Sequence, residues 1–255
     1  MVSRDIEQHS ELTQNLISIL HDIYPEKDCS FLNKFAGDLA NKAQKNLSPR
    51  GNRDRALWSA SDVLLIAYPD NINCQNTSPL QSLQRFLTEH LSDIISIVHV
   101  LPFFPSTGDD GFSVQNYFEV DEKLGDWGDI GELAKQSTIM ADVVLNHCSV
   151  KNAWFTSYQS GDPEFANFFC TVPDDFDLSN IVRPRSSSLK EKFLVNGEDS
   201  NIWCTFSGDQ ADLNFKNPKV LQKLIEVIFW YIEKGVRVFR LDAVAFIWKK
   251  HATTC

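Results

Sequence analysis

The sequence has no long apolar run and no hydrophobic leader. No stretch approaches the run of about 18 consecutive apolar residues that a membrane-spanning helix needs. The first eight residues, MVSRDIEQ, are polar and charged, so we expect no signal peptide. These features argue against a membrane protein or an exported protein, and we predict no membrane partner.

The sequence also lacks an excess of basic residues, and it contains no paired cysteine motif. The chain has 24 Lys and Arg against 34 Asp and Glu, and the resulting net charge of −10 disfavours a nucleic acid or anionic surface as partner. A local basic patch stays compatible with this balance. The six cysteines form no CxxC motif and no cluster with metal-ligand spacing. We therefore expect reduced thiols in a cytoplasmic protein.

What is present is a composition typical of a globular protein, opening with a helical segment. The chain has 255 residues, of which 43% are hydrophobic and 23% charged, enough for one large domain or two small ones. Apolar residues with helical spacing over residues 4–46, interrupted at Tyr24 and Pro25, predict two helices. A basic stretch at 48–55 reads as a linker. We predict an N-terminal helical leader over residues 1–57.

Four apolar segments with helical stretches between them predict a parallel sheet. Continuous apolar strands alternating with helices are typical of a parallel sheet that helices cover on its faces. Helices are expected at 80–91, 130–135 and 218–234. The predicted strands are residues 62–68, 94–101, 138–145 and 236–241.

The gap between the third and fourth strands is much longer than the others. Residues 148–215 are rich in loop signals such as Gly161-Asp-Pro and Val172-Pro-Asp-Asp. We therefore predict an inserted subdomain over 148–215, and the first half of a (β/α)₈ barrel over 58–147 and 216–255. In such barrels the reactive groups lie at the C-terminal ends of strands. Three of the predicted strands end in polar residues.

The most informative of these ends is the segment 235–243, GVRVFRLDA. Arg240 and Asp242 are two residues apart, so strand alternation places both side chains on one face. We expect the arginine to lower the pKa of the carboxyl and keep it ionised. An oriented, ionised carboxylate is what a retaining glycosidase uses as nucleophile. Without further context, a structural ion pair is the favoured interpretation of the two residues.

Two of these segments resemble signature regions of the α-amylase superfamily of glycoside enzymes. Residues 141–147, ADVVLNH, match its first region, and residues 235–243 match its second. Within the superfamily the chain resembles the sucrose phosphorylase group over about residues 58–255. The helical leader is more similar to the glucosylglycerate phosphorylase branch. The closer match rests on residues 99–112 (HVLPFFPSTGDDGF), 177–185 (DLSNIVRPR), 203–210 (WCTFSGDQ) and 242–249 (DAVAFIWK).

The resemblance implies a double displacement on an α-glucoside, with inorganic phosphate as co-substrate and no cofactor. Asp242 matches the nucleophile, and Arg240 matches its partner. The other matched positions bind the donor glucose, its aromatic walls or the acceptor. They are Asp109 and His147 for the donor, Phe112 and Phe206 for the walls, and Gln210 near the acceptor.

Two further matches concern anions. Arg183 and Arg185 match a basic loop that binds phosphate or acceptor, and guanidinium groups suit phosphate or a carboxylate such as that of glycerate. Both arginines are equally well interpreted as solvated loop charges.

Asn146 matches a residue that helps to bind calcium in many amylases, but no acidic cage accompanies it in the sequence. We predict no metal.

The resemblance also implies an acid/base glutamate on a fifth strand, and no candidate follows Asp242 in this sequence. We therefore expect an α-amylase-type barrel truncated after about strand four, with two open sheet edges and an exposed apolar face. Three hypotheses stay open: a sucrose phosphorylase-like enzyme, an α-glucoside hydrolase, and an inactive remnant or sugar-binding fragment. The sequence indicates neither the natural sugar nor an oligomeric state.

Overall fold

The structure, a computed structural model, describes residues 2–46, 58–250 and 253–254. The predicted linker at 48–55 lies outside the described residues. The chain divides into two compact units, Met1–Trp58 and Ser59–Cys255. In the described part of the chain, no helix has both the length and the apolar character needed to cross a bilayer.

The first unit is a pair of helices, α1 (Val2–Ile23) and α2 (Cys29–Asn46). The two predicted helices and the break at Tyr24-Pro25 are therefore confirmed. Pro25 lacks the N–H group that would continue α1. Among the residues of this unit whose burial is described, the buried side chains are Leu20, Tyr24, Leu32, Phe35, Ala36 and Ala40.

Within the described residues, the second unit contains the remaining helices and all the strands. The helices are α3 (Pro79–Phe86), which continues as a π-helical turn over Leu87–Leu91, α4 (Trp127–Ala134), α5 (Ala153–Gln159) and α6 (Pro218–Glu233). The strands are β1 (Leu64–Ala67), β2 (Ile97–Val100), β3 (Thr138–Val144), β4 (His147–Ser149), β5 (Lys190–Val195), β6 (Glu198–Trp203), β7 (Gln210–Asp212) and β8 (Val236–Asp242).

The main sheet has the order β1-β2-β3-β8, and every neighbouring pair is parallel. The four predicted strands and the parallel arrangement are thus confirmed. The register pairs Asp142 of β3 with Arg240 of β8, and Val144 with Asp242. Because the strands are parallel, their carboxyl ends lie along one edge of the sheet, as the barrel prediction requires.

Local sequence signals explain where the helices begin and where β8 starts. Ser78 caps α3 ahead of a proline, and its hydroxyl accepts the backbone N–H of Gln81. The Asp126 carboxylate caps α4 in the same way. Gly235 ends the turn after α6 with φ of 104°, and a Cβ there would lie 2.9 Å from the Cβ of Ala134. Only glycine permits both the backbone angle and the close approach.

The centre of the sheet is buried and its outer strands are open. Val98, Ile139 and Val143 have no exposed surface, as expected for strands that helices cover. On the outer strands, Ile66 of β1 and Leu241 of β8 are 57% and 47% exposed. In the described part of the chain, β1 and β8 thus form two open edges with exposed apolar side chains, as predicted.

The segment between β3 and α6 carries strands that the loop-rich sequence did not indicate. The strands β4 and β7 pair antiparallel, and β5 and β6 form a hairpin. The hairpin turns at Asn196 and Gly197, which have φ of 51° and 83°. An Asn-Gly pair suits two-residue turns of this kind, because both positions need positive φ.

A buried lysine joins three segments of the second unit. Lys249 is 7% exposed, and its Nζ lies 2.8 Å from Asp212 Oδ2. The same ammonium group donates to Asn146 Oδ1 at 2.6 Å and to the Phe246 carbonyl at 2.7 Å. The end of β3, the strand β7 and the chain after β8 are therefore held by one cation.

Replacing Lys249 with methionine keeps much of the side chain's length and removes its charge. We expect Lys249→Met to lower the free energy of unfolding by about 3–5 kcal/mol, because Asp212 would keep a buried charge without its partner. Lys250→Met, at the exposed neighbour, should change it by less than about 0.5 kcal/mol. Urea unfolding measures both variants, and equal stability of the two would contradict this role of Lys249.

Candidate active site

The candidate site is built around Asp242, the last residue of β8. Its Oδ1 lies 3.1 Å from Arg240 Nη2, so the two side chains share one face, as strand alternation predicts. Ala243 follows in the left-handed region, with φ of 55°. That conformation is costly for alanine and ends the strand immediately after the carboxylate.

A buried network holds Arg240 in place. Its Nη1 lies 2.6 Å from Asp142 Oδ1, and the other Asp142 oxygen lies 2.8 Å from His99 Nε2. Asp142 is fully buried and His99 is 2% exposed. Neither residue was among the predicted site residues, although a polar side chain within an apolar strand is a signal that points to both.

Burial and the charge of Arg240 act in opposite directions on the pKa of Asp242. Burial raises the pKa of this carboxyl, and Arg240 lowers it, while the negative charges of Asp142 and Asp109 raise it further. The expected lowering of the pKa by Arg240 is present, but burial outweighs it and the pKa is raised on balance. The sequence shows the arginine beside the carboxyl, but not how far the fold removes that carboxyl from water.

The loop after β2 brings Asp109 and Phe112 to the site. Asp109, Asp110 and Gly111 form a turn, with φ of 53°, 50° and 99°. A Cβ on Gly111 would lie 2.5 Å from the Cβ of Pro102, so the turn needs glycine there. The guanidinium carbon of Arg240 lies 5.5 Å from the centre of the Phe112 ring, within cation–π range.

A second group of contacts connects His147, Gln210 and Asp109. Gln210 donates from Nε2 to Asp109 Oδ2 at 2.9 Å, and the same nitrogen lies 3.1 Å from His147 Nε2. His147 Nε2 also lies 3.2 Å from the Phe112 carbonyl oxygen. Phe112 therefore contacts Arg240 through its ring and His147 through its backbone, and so connects this group to the Asp242 group.

His147 is neutral in this setting. It is 1% exposed, and burial lowers its pKa to about 4, against a smaller opposing effect of Asp212. A neutral imidazole offers one donor and one acceptor, as a contact to a sugar hydroxyl needs. The Phe206 ring packs 4.9 Å from the imidazole, centre to centre.

The two loop arginines have different surroundings. Arg183 donates from Nη1 to the Thr205 carbonyl at 3.0 Å, a contact that braces the loop. Arg185 Nη2 lies 3.1 Å from Asp109 Oδ1, and the two side chains are 50% and 35% exposed. The structure thus brings Arg185 to Asp109 at the site, while Arg183 is engaged by backbone.

In the part of the chain that the structure describes, no group of three or more His, Cys, Asp or Glu side chains is placed to hold a metal ion. Asn146, matched above to a calcium position of amylases, accepts the hydrogen bond from Lys249 Nζ. That the site uses no metal stays a prediction.

Known proteins resemble about four fifths of the chain. Glucosylglycerate phosphorylase of Allomeiothermus silvanus is 46% identical over 198 residues, which cover 78% of this chain and 36% of that protein. The enzyme of the same name from Escherichia coli is 41% identical over 204 residues, covering 80% of this chain and 36% of the relative. The chain therefore spans about a third of the length of these curated relatives.

The solved structures and a family model agree with this similarity. The crystal structure of sucrose 6F-phosphate phosphorylase from Thermoanaerobacter thermosaccharolyticum superposes with a TM-score of 0.71 at 32% identity, covering 79% of this chain and 43% of the other. Residues 89–254 match the model of the α-amylase catalytic domain, and they include every site residue described above. The chain thus belongs to the α-amylase family, and its parallel sheet is part of an α-amylase-type barrel.

Proposed function

We propose that this chain supplies the nucleophile and the donor-glucose contacts of a retaining α-glucoside phosphorylase. The observation that carries the proposal is the continuous set of contacts from Asp242 through Arg240, Phe112 and His147 to Gln210, which in turn bonds Asp109. It unites a partly buried carboxylate with neutral and charged groups that suit sugar hydroxyls. The similarity to phosphorylases supports this assignment.

In the proposed reaction, Asp242 attacks the anomeric carbon of the donor, and the bond to the leaving group breaks. A glucosyl ester of Asp242 forms, with inversion. Phosphate oxygen then attacks the same carbon from the opposite side of that ester bond and releases the carboxylate. Two inversions yield α-glucose 1-phosphate with net retention. Protonation of the leaving group is assigned to no residue of this chain.

The other site residues bind substrate in this proposal. Asp109 and His147 hydrogen-bond the donor glucose, and Phe112 and Phe206 enclose it. Gln210 orients Asp109 and reaches toward the acceptor. Arg240 keeps the Asp242 carboxylate turned toward the anomeric carbon, because Asp142 fixes the guanidinium from its other side.

The natural donor is proposed to be a glucoside of a small carboxylate-bearing or phosphate-bearing acceptor, as the relatives' names suggest. Arg185 is an exposed guanidinium at the site, and the planar geometry of this group suits such anions. We further propose a cytoplasmic location, because Cys29, Cys74, Cys148 and Cys204 are free thiols. A plain hydrolase is the competing function, and it differs in needing no phosphate.

α-Glucosyl fluoride tests the nucleophile directly, since fluoride leaves without protonation. We expect the intact mass of the chain to rise by one glucosyl group without phosphate, and glucose 1-phosphate to form when phosphate is added. Asp242→Asn should abolish the adduct, because the amide is not a nucleophile, whereas Asp199→Asn at an exposed site of β6 should retain it. An adduct elsewhere, or glucose release that ignores phosphate, would overturn the proposal.

The pH dependence of adduct formation tests the balance of charge at Asp242. The rate should fall as the pH decreases through the raised pKa of Asp242, because the protonated acid does not attack. Arg240→Gln removes the contribution that lowers this pKa, so the acidic limb of the pH–rate profile should move to higher pH. Arg240→Lys keeps the charge and should move this limb less. An acidic limb at the same pH in Arg240→Gln as in the wild type would refute the electrostatic role.

Phosphate dependence tests Arg185. We expect Arg185→Ala to raise the KM for phosphate about tenfold, the scale of one lost charge-assisted contact, and to change the KM for α-glucosyl fluoride much less. Lys192→Ala, at an exposed cation of β5, serves as the matched control. Equal increases in both KM values would show instead that Arg185 acts through Asp109.

A further inference from the structure

Two hydroxyl groups donate to Asp209, the residue before Gln210, and a third contacts one of these two. Thr107 and Ser113 both donate to Asp209 Oδ2, the latter at 2.5 Å. The hydroxyl oxygens of Thr107 and Ser149 are 2.6 Å apart. We call Thr107, Ser113, Ser149 and Asp209 the hydroxyl clasp. It lies beside the candidate site and uses none of the residues assigned above to the sugar.

The available protons fix the direction of each hydrogen bond in the clasp. A carboxylate only accepts hydrogen bonds, so the protons of Thr107 and Ser113 point to Asp209. Since the Thr107 proton is used there, Ser149 donates to Thr107 Oγ1. The Ser149 oxygen in turn accepts the backbone N–H of Lys151 at 3.1 Å. Every hydroxyl proton of the clasp therefore depends, directly or through Thr107, on the Asp209 carboxylate.

The clasp closes the loop that carries Asp109. Thr107 and Ser113 stand at the two ends of this loop, joined by a backbone hydrogen bond from Thr107 N to Ser113 O at 3.0 Å. Between them, Asp109 and Asp110 adopt positive φ, which costs roughly 1–3 kcal/mol for each residue. Such a conformation persists only where surrounding contacts impose it, and the two hydroxyl bonds to Asp209 do so at both ends.

The clasp also fixes the partner of Asp109. The Asp209 carbonyl accepts the Val150 N–H at 2.9 Å, which places the start of β7 beside the end of β4. The next residue, Gln210, donates to Asp109 Oδ2 at 2.9 Å. Asp209 thus contacts the Asp109 loop through its carboxylate and β4 through its backbone, and so joins both members of the Asp109–Gln210 pair, which are about a hundred residues apart in sequence.

We infer that Asp209 is a positioning residue that holds Asp109 and Gln210 in the geometry that binds the donor. The inference rests on the proposed function for its effect on donor binding. Its structural part, control of the 107–113 loop, holds independently of catalysis. The ligand served is the glucosyl group of the donor, through Asp109.

The test compares Asp209→Ala with two Thr107 variants in the full chain. Thr107→Val removes the hydroxyl at constant shape, and Thr107→Ser keeps it. Asp199→Ala, an exposed carboxylate of β6, is the matched control for Asp209→Ala. Two readouts are taken on each: hydrogen–deuterium exchange of peptides spanning 105–115, and kcat and KM for α-glucosyl fluoride with phosphate.

We expect Asp209→Ala and Thr107→Val to speed exchange in the 107–113 loop and to raise the donor KM about tenfold, with kcat within about twofold, as for loss of ground-state binding. Thr107→Ser and Asp199→Ala should match the wild type in both exchange and kinetics.

A lower kcat at unchanged KM, with faster exchange throughout the unit, would mean that Asp209 only stabilises the fold. Unchanged loop exchange would also overturn the inference. Absence of any wild-type turnover would instead refute the proposed function, with the exchange result still deciding the clasp.

Discussion

The buried carboxylate of Asp142 is the group on which the geometry of the site depends. It lies in the middle of β3 and bonds to a side chain from the strand on each side, His99 of β2 and Arg240 of β8. A fully buried carboxylate without such partners would strongly destabilise the fold. The sheet therefore forms with Arg240 at this position, and Arg240 in turn holds Asp242.

Around this network the site balances several charges in a small space. Burial raises the pKa of Asp242, and the negative charges of Asp142 and Asp109 raise it further. Arg240 opposes these effects and Arg185 pairs with Asp109. His147 avoids the conflict, because burial lowers its pKa to about 4 and leaves it neutral. The proposed nucleophile Asp242 and the proposed binding residue Asp109 thus differ in their cationic partners, which are Arg240 and Arg185.

Much of this arrangement was predictable because it depends on neighbours in sequence. Alternation in GVRVFRLDA places Arg240 beside Asp242, and the Asp-Asp-Gly run predicts the turn that carries Asp109. The apolar segments predict the four parallel strands, since continuous apolar runs are typical of strands in a parallel sheet that helices cover. Two strand pairs in 148–215 escaped prediction, because their short, mixed-polarity segments have no clear period.

The sequence by itself determined the strand order along the chain, the pairing of Arg240 with Asp242 and the membership of the α-amylase family. Tertiary structure alone decided which distant groups meet: His99 with Asp142, Asp209 with Thr107 and Ser113, and Lys249 with Asp212. It also decided that burial outweighs the effect of Arg240 on the pKa of Asp242. The reason is that desolvation and long-range contacts depend on how elements far apart in sequence pack, whereas alternation and turn chemistry act over only a few residues.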